Sequence, residues 1–256
     1  MKLYNILQEV IGQPKAIILA GAPGAGKGYI LRGLDLGGLK VLNVDDIYVP
    51  MLKKANITLD LKNATPEERS QQAIAMGAAN KEFKQDVANT IEGKQSFILD
   101  GTGASYKTTV KLKDELEAAG YEVFMLYVYT DLERSLKQNQ NRYEKTDGQD
   151  RSLAPGIVMK TWKEVTQNFK PYQDLFDSNF TSVANTLEDQ EISDLEDIID
   201  TYLTPFTPKG TKPKTPKEQA RSEEIKAMLN DKFIQSIVTN SVSKEEAQSK
   251  LKSFLA

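Results

Sequence analysis

Ala16-Ile17-Ile18-Leu19-Ala20 runs without a polar residue into Gly21-Ala22-Pro23-Gly24-Ala25-Gly26-Lys27-Gly28, and Tyr29–Leu34 continues with helix-compatible residues. An apolar strand that enters a glycine-rich turn and leaves it as a helix reads as a P-loop, the Walker A type of phosphate cradle. Glycines let several backbone N–H groups turn into one concavity, the helix N-terminus adds positive potential, and the lysine ammonium reaches the outer phosphates. The nucleotide contacts expected on this reading are Gly21, Ala22, Pro23, Gly24, Ala25, Gly26, Lys27, Gly28 and Tyr29. A ligand-free glycine turn leaves Lys27 unexplained.

The position after Lys27 departs from the usual motif. A Ser or Thr there ordinarily offers its hydroxyl to Mg²⁺, but this chain has Gly28 followed by Tyr29. The eight residues resemble the adenylate-kinase variant of the loop, in which Gly follows Lys and Thr follows that Gly; Tyr29 breaks that pattern too. Mg²⁺ is then expected to be held by water, by the triphosphate of ATP and by nearby carboxylates.

Composition narrows the chemistry. At 256 residues the chain can hold one α/β domain and an appendage. It has no Cys and no His, which excludes disulfide scaffolds, thiolate zinc sites, Cys nucleophiles and every His-dependent triad. Acid–base work therefore falls to carboxylates. No apolar run approaches about 18 residues, and Met1–Val10 lacks the pattern of a signal peptide. A cytoplasmic protein with no membrane partner is the expectation. Of the net charge of −3, ten basic and six acidic residues from Pro205 onward leave +4 in the tail and −7 upstream. Such a tail suits nucleic acid or an acidic protein partner; an ordinary solvated surface is the plainer reading.

Taken in order, Leu3, Ile6, Leu7, Val10 and Ile11 recur at helical spacing before Gly12-Gln13-Pro14. Lys40–Val44 reads as a second strand ending in Asp45-Asp46-Ile47-Tyr48, and Ile57–Asn63 as irregular. Thr65-Pro66-Glu67-Glu68 has the form of a capping box and opens a helix to about Ile91, where Gln72, Asn80 and Lys81 are polar candidates for a substrate cleft or for plain solvent. Ser96–Asp100 is a third strand leading into Gly101-Thr102-Gly103; a helix over Tyr106–Ala119, a strand over Tyr121–Tyr129 and a helix to about Tyr143 follow. Helix Pro155–Asn168, strand Phe180–Ala184 and helix Asp189–Leu203 complete the pattern. This rhythm predicts an α/β fold of P-loop NTPase type, three layers α/β/α around a five-stranded, mostly parallel sheet. The predicted organisation is a domain over residues 1–204 with a lid at about 144–155, a Pro/Lys-rich linker over 205–216, and a small helical C-terminal extension over 217–256. In that extension Lys217–Ile237 and Lys244–Leu255 read as two amphipathic helices that dock on the domain, pair with another chain or bind a partner.

In open α/β sheets ligands bind outside the carboxyl ends of the strands, so Asp45, Asp46 and Asp100 converge on one edge. At this point the chain resembles the zeta-toxin and polynucleotide-kinase group of small P-loop kinases. The resemblance covers about residues 15–200 and rests on the GAPGAGKG loop, Asp46-Ile47-Tyr48, Asp100-Gly101-Thr102, Ala119-Gly120-Tyr121-Glu122-Val123 and Arg142-Tyr143-Glu144. The members that look most similar are kinase-like proteins of tailed phages, which would place the protein in a host cytoplasm.

The resemblance implies roles. Asp46 matches the base that orients and deprotonates an attacking hydroxyl, with Asp45 as the fallback; both also suit the first turn of a helix. Asp100 stands where zeta toxins carry a substrate-contacting Glu. One methylene shorter, it contacts substrate or binds Mg²⁺ through water, a role also open to Asp46. Thr102 and Asp45 are expected beside the substrate. Arg142 and Arg151 match arginines that hold ATP phosphates from the lid side, where a planar guanidinium can make two parallel hydrogen bonds.

The expected activity is transfer of the ATP γ-phosphate to a hydroxyl of a sugar-nucleotide or nucleic-acid-related substrate, with Lys27, Asp46, Arg142 and Arg151 catalytic. Two alternatives stand beside it. One is a nucleoside monophosphate kinase, which needs no base; the other is a non-catalytic nucleotide-binding adaptor, suggested by the missing hydroxyl after Lys27.

Overall fold

In the computed structural model the described residues are 12–34, 36, 38–61, 63–144, 146, 150–186, 216–229 and 232–256. The expected N-terminal helix around Leu3–Ile11, the helix Asp189–Leu203, the linker up to residue 215 and positions 145 and 147–149 of the lid lie outside them. The chain forms β1 (Lys15–Ala20), α1 (Lys27–Leu34), β2 (Lys40–Asn43), α2 (Asp45–Lys54), α3 (Pro66–Glu92), β3 (Phe97–Asp100), α4 (Tyr106–Ala118) and β4 (Glu122–Tyr129). It continues with α5 (Leu132–Glu144), α6 (Pro155–Gln167), α7 (Phe169–Phe176), β5 (Phe180–Ala184), α8 (Pro216–Leu229), α9 (Lys232–Asn240) and α10 (Lys244–Leu255).

The five strands are all parallel, in the order β2-β3-β1-β4-β5. β1 lies between β3 and β4, so the chain leaves the centre of the sheet in both directions. That divergence opens the crevice in which α/β folds bind ligands, and the P-loop sits at its mouth. Register aligns the strand ends: Asp100 is opposite Leu19 of β1 and Asn43 of β2.

Alternation along the strands builds two cores. Ala16, Ile18 and Ala20 of β1 face one way with Phe97, Leu99, Val123, Met125 and Tyr127, under α4 to α7. Trp162 is 1% exposed there, and its indole N–H donates to Thr130 O at 2.8 Å, so the large ring is buried without an orphaned donor. Ile17, Leu19, Ile98, Phe124, Leu126 and Val128 face the other way, against Ile30 and Leu34 of α1.

The C-terminal helices complete both layers. Ile225 of α8 and Ile234 and Ile237 of α9 belong to the first core; Ala247, Leu251 and Phe254 of α10 belong to the second. Phe254 packs on Phe124 with ring centroids 5.0 Å apart. Just before α10, Val242 N–H donates to Ser182 O at 2.8 Å and pairs in parallel with Val183, covering the outer edge of β5. Of the three roles open to the extension, docking on the domain is the one observed.

Three local expectations change. The stretch Lys217–Ile237, expected as one helix, holds parts of two, α8 and α9. The chain after Asn168, where no element was expected before the strand Phe180–Ala184, forms α7, whose Phe169, Tyr172 and Phe176 are buried. The P-loop helix starts at Lys27 rather than Tyr29, because Ile30 N–H already closes a turn on Gly26 O. The capping box at α3 is present: Thr65 Oγ1 accepts from Glu68 N–H at 3.2 Å, and the Glu68 carboxylate accepts from Thr65 N–H at 2.7 Å.

Candidate active site

The P-loop is fastened from three directions. Ser135 of α5 donates to Pro23 O at 2.5 Å, Asn185 after β5 donates to Ala25 O at 2.8 Å, and Gly21 N–H donates to Thr102 O at 2.9 Å. Two glycines are required by geometry. Gly24 has φ +76°, and a Cβ there would meet Ser135 O at 2.5 Å; Gly26 has φ +81° and would collide with the Asn185 amide. A turn held this tightly presents its N–H groups before any ligand arrives.

Lys27 is the first residue of α1. Its ammonium donates to Gly21 O at 3.0 Å and stands 4.0 Å from Asp100 Oδ1. Burial pushes the Lys27 pKa down against the attraction of Asp100, and burial pushes the Asp100 pKa up against that of Lys27. Each group is thus only partly compensated by its neighbour. A buried ammonium in this condition fits a polyphosphate, which would add the missing negative charge.

From Asp100 a hydrogen-bonded chain crosses the strand ends. Asn43, the last residue of β2, donates its amide N–H to Asp100 Oδ2 at 2.9 Å, while its Oδ1 accepts from Asp45 N–H at 2.9 Å. The Asp45 carboxylate in turn accepts from Arg151 Nη2 at 2.7 Å. Asp150 continues the chain: its Oδ1 accepts from Arg151 N–H at 2.8 Å and its Oδ2 from Arg142 Nε. Lys27, Asp100, Asp45, Arg151 and Arg142 are therefore brought together. Asp46 stands exposed in the first turn of α2, near enough for its charge to raise the Asp100 pKa. Neither acid caps α2 with its side chain; both sit where the helix dipole favours negative charge.

Other candidates are placed differently. Thr102 anchors the P-loop through its carbonyl, and its hydroxyl accepts from Ala104 N–H at 3.3 Å. Tyr29 points outward, 58% exposed, with the Lys244 ammonium 3.9 Å from its ring centroid. Gln72 is buried and donates to Thr58 O at 3.0 Å, so it supports the loop before α3 rather than facing a substrate; Asn80 and Lys81 are exposed. The described part of the expected lid is tied down. Asn139 grips Leu153 through both its N–H and C=O, at 3.1 and 2.9 Å, and Ser152 bonds Leu59 O and the Asp60 carboxylate at 3.1 and 3.0 Å. Arg151 is thereby aimed by the two residues that follow it.

Asn43, Asp150, Ser135, Asn139 and Asn185 were not foreseen from the sequence. Only Asn43 carried a signal, as an amide ending an apolar strand at the ligand edge. For Mg²⁺, Gly28 offers no hydroxyl, and the described residues contain no group of three or more Asp or Glu arranged around one point. This donor set fits an ion that keeps several waters and leans on one or two carboxylates and the phosphates.

The zeta toxin family model matches residues 4–202. The chain belongs to the zeta toxin family. That membership supports a kinase-type function, a phosphotransferase. No curated protein matches the chain in sequence. Among solved structures, the chain is similar to one from the PezAT chromosomal toxin–antitoxin system of Streptococcus pneumoniae, at 17% identity over 91% of this chain and 94% of that one, with a TM-score of 0.51. The AvrRxo1-ORF1:AvrRxo1-ORF2 complex with sulphate ions matches at 15% identity over 96% and 78%, TM-score 0.53. The same pair with ATP matches at 19% identity over 72% and 58%, TM-score 0.50. At these identities the likeness shows the fold. Among the described residues no helix is long and apolar enough to cross a membrane.

Proposed function

We propose that this protein is an ATP-dependent kinase that moves the γ-phosphate to a hydroxyl of a sugar-nucleotide or nucleic-acid-related substrate. The observation that carries this reading is the chain Lys27–Asp100–Asn43–Asp45–Arg151, which brings cations for phosphates and carboxylates for an acceptor to one sheet edge. Phosphoryl transfer needs positioning, neutralisation of charge and one carboxylate within reach of the nucleophile.

In this reading the N–H groups of Gly21–Gly28 and the Lys27 ammonium bind ATP. Asp46, exposed beside the chain, receives the hydroxyl proton. Arg151 and Arg142 meet the charge that develops on the transferring group, and Asp100 contacts the acceptor or a water of Mg²⁺. Asp45 Oδ1 and Arg151 Nε are buried and make no hydrogen bond. A buried polar atom left unpaired costs about 1–3 kcal/mol, a cost in keeping with a site arranged for a ligand. The toxin–antitoxin system and the AvrRxo1-ORF1:AvrRxo1-ORF2 complex among the similar structures support a protein partner for this chain as well, with the basic tail a further surface for protein or nucleic acid.

The test is incubation with labelled ATP, Mg²⁺ and a panel of nucleosides, nucleoside monophosphates, sugar nucleotides and 5′-hydroxyl oligonucleotides. Label on a hydroxyl, lost in Asp46→Asn, is the expected result. Label on a monophosphate with Asp46→Asn active would assign a nucleoside monophosphate kinase. Tight ATP binding with no labelled acceptor would leave a nucleotide-binding adaptor.

A further inference from the structure

We infer that Asn43 is the positioning residue of this site, holding Asp100 with one end of its amide and the acid-bearing first turn of α2 with the other. The inference rests on the hydroxyl-kinase reading and adds to it a residue that touches neither ATP phosphate nor the reacting hydroxyl.

The chemistry of the two partners fixes the orientation of the amide. A backbone N–H can only donate, so the atom 2.9 Å from Asp45 N is Oδ1; a carboxylate accepts, so the atom 2.9 Å from Asp100 Oδ2 is Nδ2. An acceptor and a donor are needed at the two tips of one short planar group. Asp would keep the first bond and set a second carboxylate against Asp100. Leu would make neither. The bond to Asp45, two residues on, is a local turn of a common kind. The bond to Asp100 spans 57 positions and joins two strands, and the pair together makes Asn43 a bridge.

Two settings depend on that bridge. Asp100 is turned so that Oδ2 faces Asn43 and Oδ1 faces Lys27 at 4.0 Å, short of direct hydrogen-bonded contact. Released from Asn43, the carboxylate could swing onto the ammonium. The first turn of α2 is also fixed: Val44, at its N-cap position, makes no side-chain cap, and Asn43 Oδ1 takes up the Asp45 N–H instead. The same turn aims Asp45 at Arg151 and carries Asp46. An angstrom of misplacement in such a group is enough to cost on the order of a hundredfold in rate.

Full-length Asn43→Ala and Asn43→Asp are compared with the unaltered protein for kcat and KM toward a labelled acceptor, for ATP affinity and for Tm, and crystal structures of both variants are determined. Asn43→Asp is nearly isosteric and keeps the cap on α2, so it isolates the Asp100 bond if Asn43→Ala folds poorly. The expected result is a fall in kcat of about 10–100-fold in both variants, with ATP affinity within about threefold and Asp100 turned away from its present position. Unchanged kcat in both variants with a lowered Tm, or Asp100 and α2 unmoved in the crystals, would overturn the inference. If the unaltered protein labels no hydroxyl at all, the kinase reading falls, and the crystal comparison alone still decides whether Asn43 positions Asp100.

Discussion

Asp45 and Arg151 lie 106 positions apart in the chain and share a hydrogen bond of 2.7 Å. The acid nearest the end of β2 is thereby committed to an arginine, while its neighbour Asp46 remains exposed. Asp46→Asn should lower kcat by about 10²–10⁴-fold, the usual worth of a positioned general base, with ATP affinity retained. Asp45→Asn should act through Arg151 and cost on the order of tenfold. Steady-state kinetics of the two variants side by side check the assignment; a larger loss in Asp45→Asn would exchange their roles.

The buried ammonium of Lys27 makes nucleotide binding visible in stability. A ligand at a hundred times its Kd stabilises the folded chain by about 2.7 kcal/mol. Unaltered protein should therefore show a clear rise in Tm with excess ATP, and Lys27→Met should show none. An equal rise in both would remove the phosphate-binding role from Lys27.

Asp100 should leave a mark on the pH dependence of folding. Burial, the largest influence on its carboxyl, holds its pKa above the ordinary range, with Asp45 and Asp46 pushing the same way and Lys27 and Arg142 opposing. Between the ordinary and the raised value the folded chain binds more protons than the unfolded one, so stability falls as pH rises through that window. Asp100→Asn should abolish this component, with the difference largest above the window. Urea denaturation of nucleotide-free protein across the acid range, followed by the fluorescence of Trp162, the single tryptophan, tests it.

The C-terminal helix α10 should prove structural. Leu251 is 0% exposed in the core that also holds Leu126 and Val128, so Leu251→Ala should cost about 2–5 kcal/mol in urea denaturation. Deletion of 241–256 would expose that face and the edge of β5 together and should give a chain that no longer unfolds cooperatively. A truncated protein with unchanged Tm would show that the second face of the sheet needs no cover from α10.

The features legible in the sequence are local. An apolar run into GAPGAGKG specifies strand, cradle and helix because glycine conformations and helix-terminal N–H groups act over a few residues. The same holds for the capping box at Thr65 and Glu68 and for the alternation of strands and helices that implies a parallel sheet. It also placed Asp45, Asp46 and Asp100 at one edge, since strand ends are readable and parallel strands end together. Tertiary structure alone decided which of those acids is paired. Arg151 reaches Asp45 because Asn139, Leu59 and Asp60 hold the two residues that follow it, and side-chain contacts across such separations leave no periodic trace. It alone showed that α10 closes the second core, a matter of which apolar face meets which sheet. And it alone showed that Asn43 ties Asp100 to α2, because a bridging amide is defined by two partners that meet only when β2 and β3 lie side by side.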